Sequence, residues 1–113
     1  MPQRGRKGVC MSALGIVETR GLTAAVEATD AMCKDASVSV QQVVQPGGGH
    51  LTILARGDVA AVSSAVDAGE RAARAVGGDV ICVNVIPNPH PELEAYLDAQ
   101  NPPAESEDAE AED

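Results

Sequence analysis

The order of the predicted elements is β-α-β-β-α-β followed by a short helix, which predicts an α+β fold of the ferredoxin-like type. Three observations carry this prediction: two segments with helical spacing of apolar residues, runs with strand-like character, and glycine- or proline-rich breaks between them. Two helices would then cover one face of a four-stranded antiparallel sheet. The chain has 113 residues, which is enough for one domain with a modest core.

The first half of the chain predicts a strand, a helix and the first arm of a hairpin. Residues 13–19 form a short β-type run. From residue 21 to residue 36, apolar or small residues recur at spacings of three and four, which predicts a helix. Its inward face would consist of Leu22, Ala25, Val26, Thr29, Met32, Cys33 and Ala36. Residues 38–45 alternate between apolar and polar, as in a strand with one wet face.

The second half begins with the turn at Pro46 and the three glycines after it, and residues 51–55 alternate as the second arm of the hairpin. Asp58 is the predicted N-cap of a second helix, which ends at the glycine pair 77–78. The inward stripe of this helix would be Val59, Val62, Val66, Gly69, Ala73 and Val76. Residues 80–86 are a nearly continuous apolar strand, and residues 91–97 predict one or two helical turns.

Charge is concentrated at the two ends of the chain. The formal net charge is −9, with three basic residues within positions 1–12 and seven acidic residues within positions 98–113. We therefore expect a flexible N-terminal extension over residues 1–12, a folded domain over 13–97, and a disordered acidic tail over 98–113. The acidic balance and the single aromatic residue argue against general nucleic-acid binding.

Compartment and membrane association can be judged from cysteine usage and hydropathy. Cys10, Cys33 and Cys82 form no CxxC pair, and an odd count at wide spacing fits a reducing cytoplasm. Both Cys33 and Cys82 fall on or near predicted buried faces, where packing as small hydrophobic residues is expected. No run approaches the ~18 apolar residues of a membrane span, and the N-terminus lacks an adequate signal-peptide core. We expect a soluble intracellular protein.

Two segments stand out as candidate functional sites. Three successive glycines exceed what a tight hairpin turn needs, so residues 47–49 are either a binding rim lined by backbone or a flexible hairpin tip. The prolines at 87, 89 and 91 form a stiff spacer that presents Asn88 and His90 in a defined direction. The sequence offers no nucleophile–base pair and no cluster with metal-ligand spacing, so we predict no catalytic residues, no metal and no cofactor.

Five segments, taken together and in order, resemble one known family. They are Ala-Leu-Gly-Ile-Val-Glu-Thr-Arg-Gly at 13–21, Ala-Met-Cys-Lys at 31–34, Arg-Gly-Asp-Val at 56–59, Asp-Ala-Gly at 67–69 and Val-Ile-Pro-Asn-Pro-His at 85–90. This ordered set resembles the hexamer-forming, single-domain shell proteins of bacterial microcompartments over about residues 12–97. The resemblance implies a structural protein of the cytoplasm that forms six-fold discs, which tile into the facets of a polyhedral shell.

The resemblance also implies a role for each candidate segment. The loop after the second strand would line a central pore, through Gln45, Pro46, Gly47, Gly48 and Gly49. Backbone N–H groups at that rim would favour small anionic or polar metabolites. Lys34, Asn88 and His90 would lie at the disc edge. Asn88 stands where the family often has arginine, and asparagine lacks the guanidinium fork, which changes that contact.

The partners implied are a homohexamer, neighbouring hexamers, trimers, pentameric vertex proteins, encapsulated enzymes and the metabolites that cross the pore. No nucleic acid and no membrane are implied. One alternative is a ferredoxin-like regulatory module that binds a small ligand near the glycine turn and forms small closed oligomers. Which pathway the shell encloses stays open; a catabolic one is favoured over a carboxysome because the loop has no basic ring for bicarbonate.

Overall fold

The computed structural model describes residues 12–35 and 37–100. The elements in chain order are β1 (Ala13–Arg20), α1 (Leu22–Asp35), β2 (Ser39–Gly47), β3 (His50–Gly57), α2 (Val59–Ala75), β4 (Asp79–Ile86) and α3 (Pro91–Gln100). The four strands form one sheet in the order β2-β3-β1-β4, and every pairing is antiparallel. The predicted α+β fold is confirmed. The predicted N-terminal extension, apart from Ser12, and the tail beyond residue 100 lie outside the described residues.

The strand register gives the sheet two distinct ends. At one end, here called the loop end, Arg20 pairs with His50 on one side and with Asp79 on the other. At the opposite end, here called the far end, Leu14 pairs with Arg56 and Ile86. Because the β2–β3 turn lies at the loop end, the glycine loop and the proline segment after β4 are held at opposite ends of the sheet.

The core lies between the sheet and the helices α1 and α2. Its fully buried larger side chains include Val17 and Ile53 from the sheet and Met32 and Val62 from the helices. Close approach is possible because glycine and alanine stand at the contacts. A Cβ on Gly15 would lie 2.6 Å from Val62 Cγ1. A core without large aromatic residues therefore gains its packing density from short distances between backbones.

Helix α1 is rotated relative to the expected face. Its buried residues include Ala24, Ala28 and Met32, whereas Leu22 and Val26 are 66% and 55% exposed. The sequence contains two stripes at helical spacing, and the smaller, alanine-rich one lies inside because it lets α1 approach α2. Cys33 and Cys82 are both exposed, so the expectation that they are buried is wrong. Ala36 and Cys10 lie outside the described residues.

Helix α2 follows the prediction closely. Asp58 is its N-cap, and the Asp58 Oδ1 accepts a hydrogen bond from the Ala61 N–H at 3.0 Å. The middle of the predicted stripe is buried, at Val62, Val66, Gly69 and Ala73. Val59 and Val76, at the two ends of the stripe, are exposed instead, because the ends of the helix extend beyond the core.

Helix α3 reaches the side of the sheet that α1 and α2 leave uncovered. Arg56 alternates with the core residue Ala55, so its side chain lies on that opposite face. There Arg56 Nη2 pairs with the Glu94 Oε2 of α3, and the Arg56 side chain is only 7% exposed. The helix continues to Gln100, three residues past the predicted end; the first residue in the sequence that opposes continuation is Pro102.

Candidate functional site: the glycine loop and the surfaces around it

The glycine loop adopts a backbone that other residues avoid. The φ angles of Gly47, Gly48 and Gly49 are +123°, +66° and +81°. A side chain at any of these positions would be strained. A Cβ on Gly47 or Gly48 would nevertheless meet nothing within 4 Å. Glycine is therefore required here by conformation and not by crowding within the protomer, and the loop tip is open on its outer side.

The loop is attached to the start of α1 by its last glycine. The Gly21 N–H donates to the Gly49 carbonyl oxygen at 2.8 Å, and Gly47 pairs with His50 to close the hairpin. Gln45, the first of the five predicted loop residues, lies in β2 and is exposed. Pro46 is also part of β2, although its side chain is outside the described part of the structure. The five residues thus form one short rim at the loop end.

A group of polar side chains lies beside this rim on the sheet face opposite α1 and α2. We call it the polar patch, and it comprises Glu18, Arg20, His50, Thr52 and Asp79. His50 Nδ1 lies 3.2 Å from Glu18 Oε2, and these side chains are 30% and 27% exposed. Arg20 Nη1 lies 3.4 Å from Asp79 Oδ2 in a more exposed pair. The His50–Glu18 contact and the Arg20–Asp79 ion pair therefore flank the base of the loop.

Apolar side chains are exposed on the two lateral sides of the protomer. The first lateral patch is formed by Leu22, Val26 and Cys33 of α1. It lines a groove of about 480 Å³ together with Ala25, Thr29, Asp30, Gln45 and Leu51. Val76, which follows α2, and Ile81 of β4 are 46% and 41% exposed, and these two residues are together called the second lateral patch. Exposed apolar groups with a polar rim are typical of protein–protein contacts.

The sheet order places these patches on opposite sides. Helix α1 packs towards the β2 side of the sheet, and α2 packs mainly on β1 and β4. Since β2 and β4 are the two edge strands, the first lateral patch lies at one edge and the second at the other. Ile81 is exposed at a register shift between β1 and β4. Glu18 pairs with Cys82 and the next residue, Thr19, pairs with Val80, so the pairing skips Ile81.

Lys34 lies in the last turn of α1 as an exposed cation. Its Nζ lies 2.9 Å from Asp30 Oδ2, and its side chain is 75% exposed. The hydrogen bond to Asp30, together with the charges of Asp30 and Glu27, raises the pKa of Lys34 above its ordinary value of 10.5. The side chain is consequently charged at neutral pH and remains available to a further partner.

Asn88 and His90 are exposed in the segment between β4 and α3. The Glu92 N–H donates to His90 Nδ1 at 3.0 Å, and the Leu93 N–H donates to the His90 carbonyl oxygen at 2.9 Å. His90 therefore caps the N-terminus of α3, a role that sequence reasoning missed. Asn88 lies two residues beyond the end of β4, at the end of the sheet opposite to the loop. The roles of Lys34, Asn88 and His90 at a disc edge stay predictions.

Sequence reasoning also missed the partners of two other residues, Glu18 and Arg56. The register of β1 against β3 places Glu18 diagonally across from His50. Arg56 is a buried cation paired with Glu94 of α3. Within the described ranges, no group of three or more potential metal ligands is found and no helix is long and apolar enough to cross a membrane.

Comparison with known proteins gives consistent matches. The family model described as BMC domain matches residues 13–89. The chain is 54% identical over 85 residues to the bacterial microcompartment shell protein PduA of Salmonella typhimurium, covering 75% of this chain and 89% of that protein. It is 54% identical over 84 residues to the shell protein EutM of Escherichia coli, covering 74% and 86%.

Similarity extends to a carboxysome protein and to a solved structure. The carboxysome shell protein CsoS1A of Hydrogenovibrio crunogenus is 46% identical over 85 residues, covering 75% of this chain and 88% of that one. A microcompartment protein of Desulfitobacterium hafniense superimposes with a TM-score of 0.69 at 34% identity. That match covers 83% of this chain and 51% of the other, so the chain spans about half its length.

Proposed function

This chain belongs to the BMC-domain family of bacterial microcompartment shell proteins, and on that basis we propose that six copies close into a ring around the glycine loop. It is a structural shell subunit of the single-domain type and not an enzyme. Its place is the shell of a cytoplasmic microcompartment, where it assembles with other shell proteins.

The observation that carries the proposal is the pair of lateral patches. A cyclic ring needs a heterologous contact, in which one side of each subunit meets a different side of its neighbour. The first lateral patch on α1 and the second at Val76 and Ile81 lie at opposite edges of one sheet. Joining them around a ring buries both patches. It also brings copies of the loop end together, because the groove reaches Gln45 and Leu51 beside the loop.

The glycine loop suits a narrow central passage. Its outer side is open within the protomer, as the empty space around a Cβ on Gly47 or Gly48 indicates. If six such loops surround an axis, backbone atoms and not side chains would lie between neighbouring loops. Backbone amides at a constriction favour small polar or anionic metabolites. We propose that Gln45, Pro46 and the three glycines line this passage.

The far end of the sheet suits contacts between neighbouring discs. Lys34, Asn88 and His90 lie away from the loop, and all three are exposed. We propose that they meet neighbouring shell subunits, including hexamers, trimers and pentameric vertex proteins, around a core of encapsulated enzymes. The chain is more similar to PduA and EutM than to the carboxysome protein, at 54% against 46% identity. This difference supports a compartment other than a carboxysome.

A matched pair of substitutions tests the ring. Val26→Glu places a charge in the first lateral patch, and Val59→Glu places the same charge on an exposed valine outside both patches. We expect native mass spectrometry to give a hexamer for the wild type and for Val59→Glu, and monomers for a folded Val26→Glu. Hexamers for Val26→Glu, or a wild type that forms only dimers or trimers, would contradict the proposal.

A further inference from the structure

His50 and Glu18 form a polar pair directly behind the glycine loop. His50 follows Gly49 in the chain and pairs in register with Gly47, so its position is tied to the rim. Its Nδ1 lies 3.2 Å from Glu18 Oε2, and the two side chains keep 30% and 27% of their surface exposed. The pair is thus held by its neighbours but remains in contact with solvent beside the rim.

The two charged residues beside this pair, Arg20 and Asp79, cancel each other, which leaves the negative charge of Glu18. The Nη1 of Arg20 on β1 lies 3.4 Å from the Oδ2 of Asp79 on β4. Cys82 of β4 pairs in register with Glu18 and is exposed. With a neutral His50, the polar patch carries one net negative charge per protomer; with a protonated His50, it carries none. Imidazole is the side chain whose charge ordinarily changes between about pH 5 and pH 8.

We propose that the His50–Glu18 pair sets the charge selectivity of the central passage. This inference rests on the proposed six-fold ring, in which each subunit contributes one pair behind the rim. When His50 is neutral, a ring of six net negative charges opposes the anions that the loop amides attract. When His50 is protonated, that ring is neutralised and the loop amides dominate. The passage therefore admits anions more readily as pH falls.

The expected size of the effect follows from screened electrostatics. Six charges at about one Debye length from the axis, in water at physiological salt, change the local anion concentration by about threefold to tenfold. The effect should weaken at high ionic strength, because exposed charges are screened. The loop glycines carry no charge, so the polar patch is the charged layer that lies next to the rim in the described part of the chain.

The test measures ion selectivity of assembled sheets sealed across an aperture. A potassium chloride gradient is applied at pH 8 and at pH 5, and the reversal potential gives the ratio of chloride to potassium permeability. We expect this ratio to rise about threefold to tenfold in the wild type between pH 8 and pH 5. In His50→Gln it should stay at its pH 8 value. In Glu18→Gln it should already be high at pH 8.

The second histidine provides the matched control. The chain has two histidines, and His90 lies at the far end of the sheet. His90→Gln must keep the pH response of the wild type, and Asp79→Asn must shift the ratio at both pH values without removing the response. A ratio independent of pH in the wild type, or a response retained in His50→Gln, overturns the inference.

Failure of the ring itself is recognised separately. Each variant is first imaged by electron microscopy, and only preparations with six-fold discs are sealed. Discs that conduct without a pH response refute the role of His50 and leave the ring intact. Absence of six-fold discs in the wild type, or discs that pass no current, refutes the proposed passage and the selectivity together.

Discussion

The buried ion pair between Arg56 and Glu94 should respond asymmetrically to removal of its two partners. The Arg56 side chain is 7% exposed, whereas Glu94 is 28% exposed. In Glu94→Ala the guanidinium keeps its charge and its burial but loses its carboxylate. Within the described part of the chain, its Nη1 already has no hydrogen-bond acceptor. In Arg56→Met the remaining carboxylate can be hydrated, and methionine fills most of the vacated volume.

These exposures translate into different losses of unfolding free energy. Leaving a buried charge unpaired costs about 3–5 kcal/mol when burial is complete. Partial exposure of the pair reduces the expected loss for Glu94→Ala to about 2–4 kcal/mol. For Arg56→Met we expect about 1 kcal/mol, since Glu94 remains partly solvated. The double variant should resemble Arg56→Met, which makes the two substitutions strongly non-additive.

Urea unfolding measures this asymmetry. All variants are compared at one protomer concentration, because assembly makes stability depend on concentration. A loss of 2–4 kcal/mol corresponds to a midpoint shift of about 1–2 M urea or more. Glu92→Ala is the control: it removes an acid from the same helical turn, but an exposed one. It should cost only about 0.5 kcal/mol through the helix dipole. Equal losses for Glu94→Ala and Arg56→Met, or a larger loss for Arg56→Met, would refute the reasoning.

Three further predictions concern packing, capping and charge. Gly15→Ala should lower the unfolding free energy by about 1–3 kcal/mol, because its Cβ would lie 2.8 Å from Val66 Cγ2. Adding Val66→Ala to this variant should recover part of the loss in urea unfolding. An unchanged urea midpoint for Gly15→Ala would contradict the contact. Asp58→Ala should cost about 1 kcal/mol by removing the cap of α2, whereas Asp58→Ser should cost less; equal losses would exclude capping. Because pairing with Asp30 raises the pKa of Lys34, its contribution is complete below pH 10.5 and lost as pH rises through the raised value. Lys34→Gln should therefore be less stable than the wild type at pH 8 and equal to it at higher pH, and a difference that persists would contradict the assignment.

Local sequence signals were sufficient for the element order and for most helix limits. The cap at Asp58 and the glycine pair that follows α2 mark that helix because capping depends on a few adjacent residues. The alternation in residues 51–55 identifies a hairpin arm for the same reason. The loop glycines were also recognisable as exceptional, and their positive φ angles account for three glycines in succession.

Long-range pairing was beyond these signals. The contact between Glu18 and His50 depends on the register of β1 against β3, and Arg56 with Glu94 depends on how the last helix returns across the sheet. The rotation of α1 could not be read from periodicity, because alanine and Leu/Val stripes have the same spacing. The choice between them depends on how closely α1 can approach α2. That choice leaves Cys33 exposed in the first lateral patch.

The most direct test of the shell assembly is negative-stain electron microscopy of the purified wild-type protein at moderate salt. The account predicts discs with six-fold symmetry that join edge to edge into sheets or tubes. Lys34→Ala should retain the discs and lose the sheets, since Lys34 is proposed to contact neighbouring discs and is not among the residues that line the groove of the first lateral patch. Isolated dimers or trimers without a lattice would contradict the account.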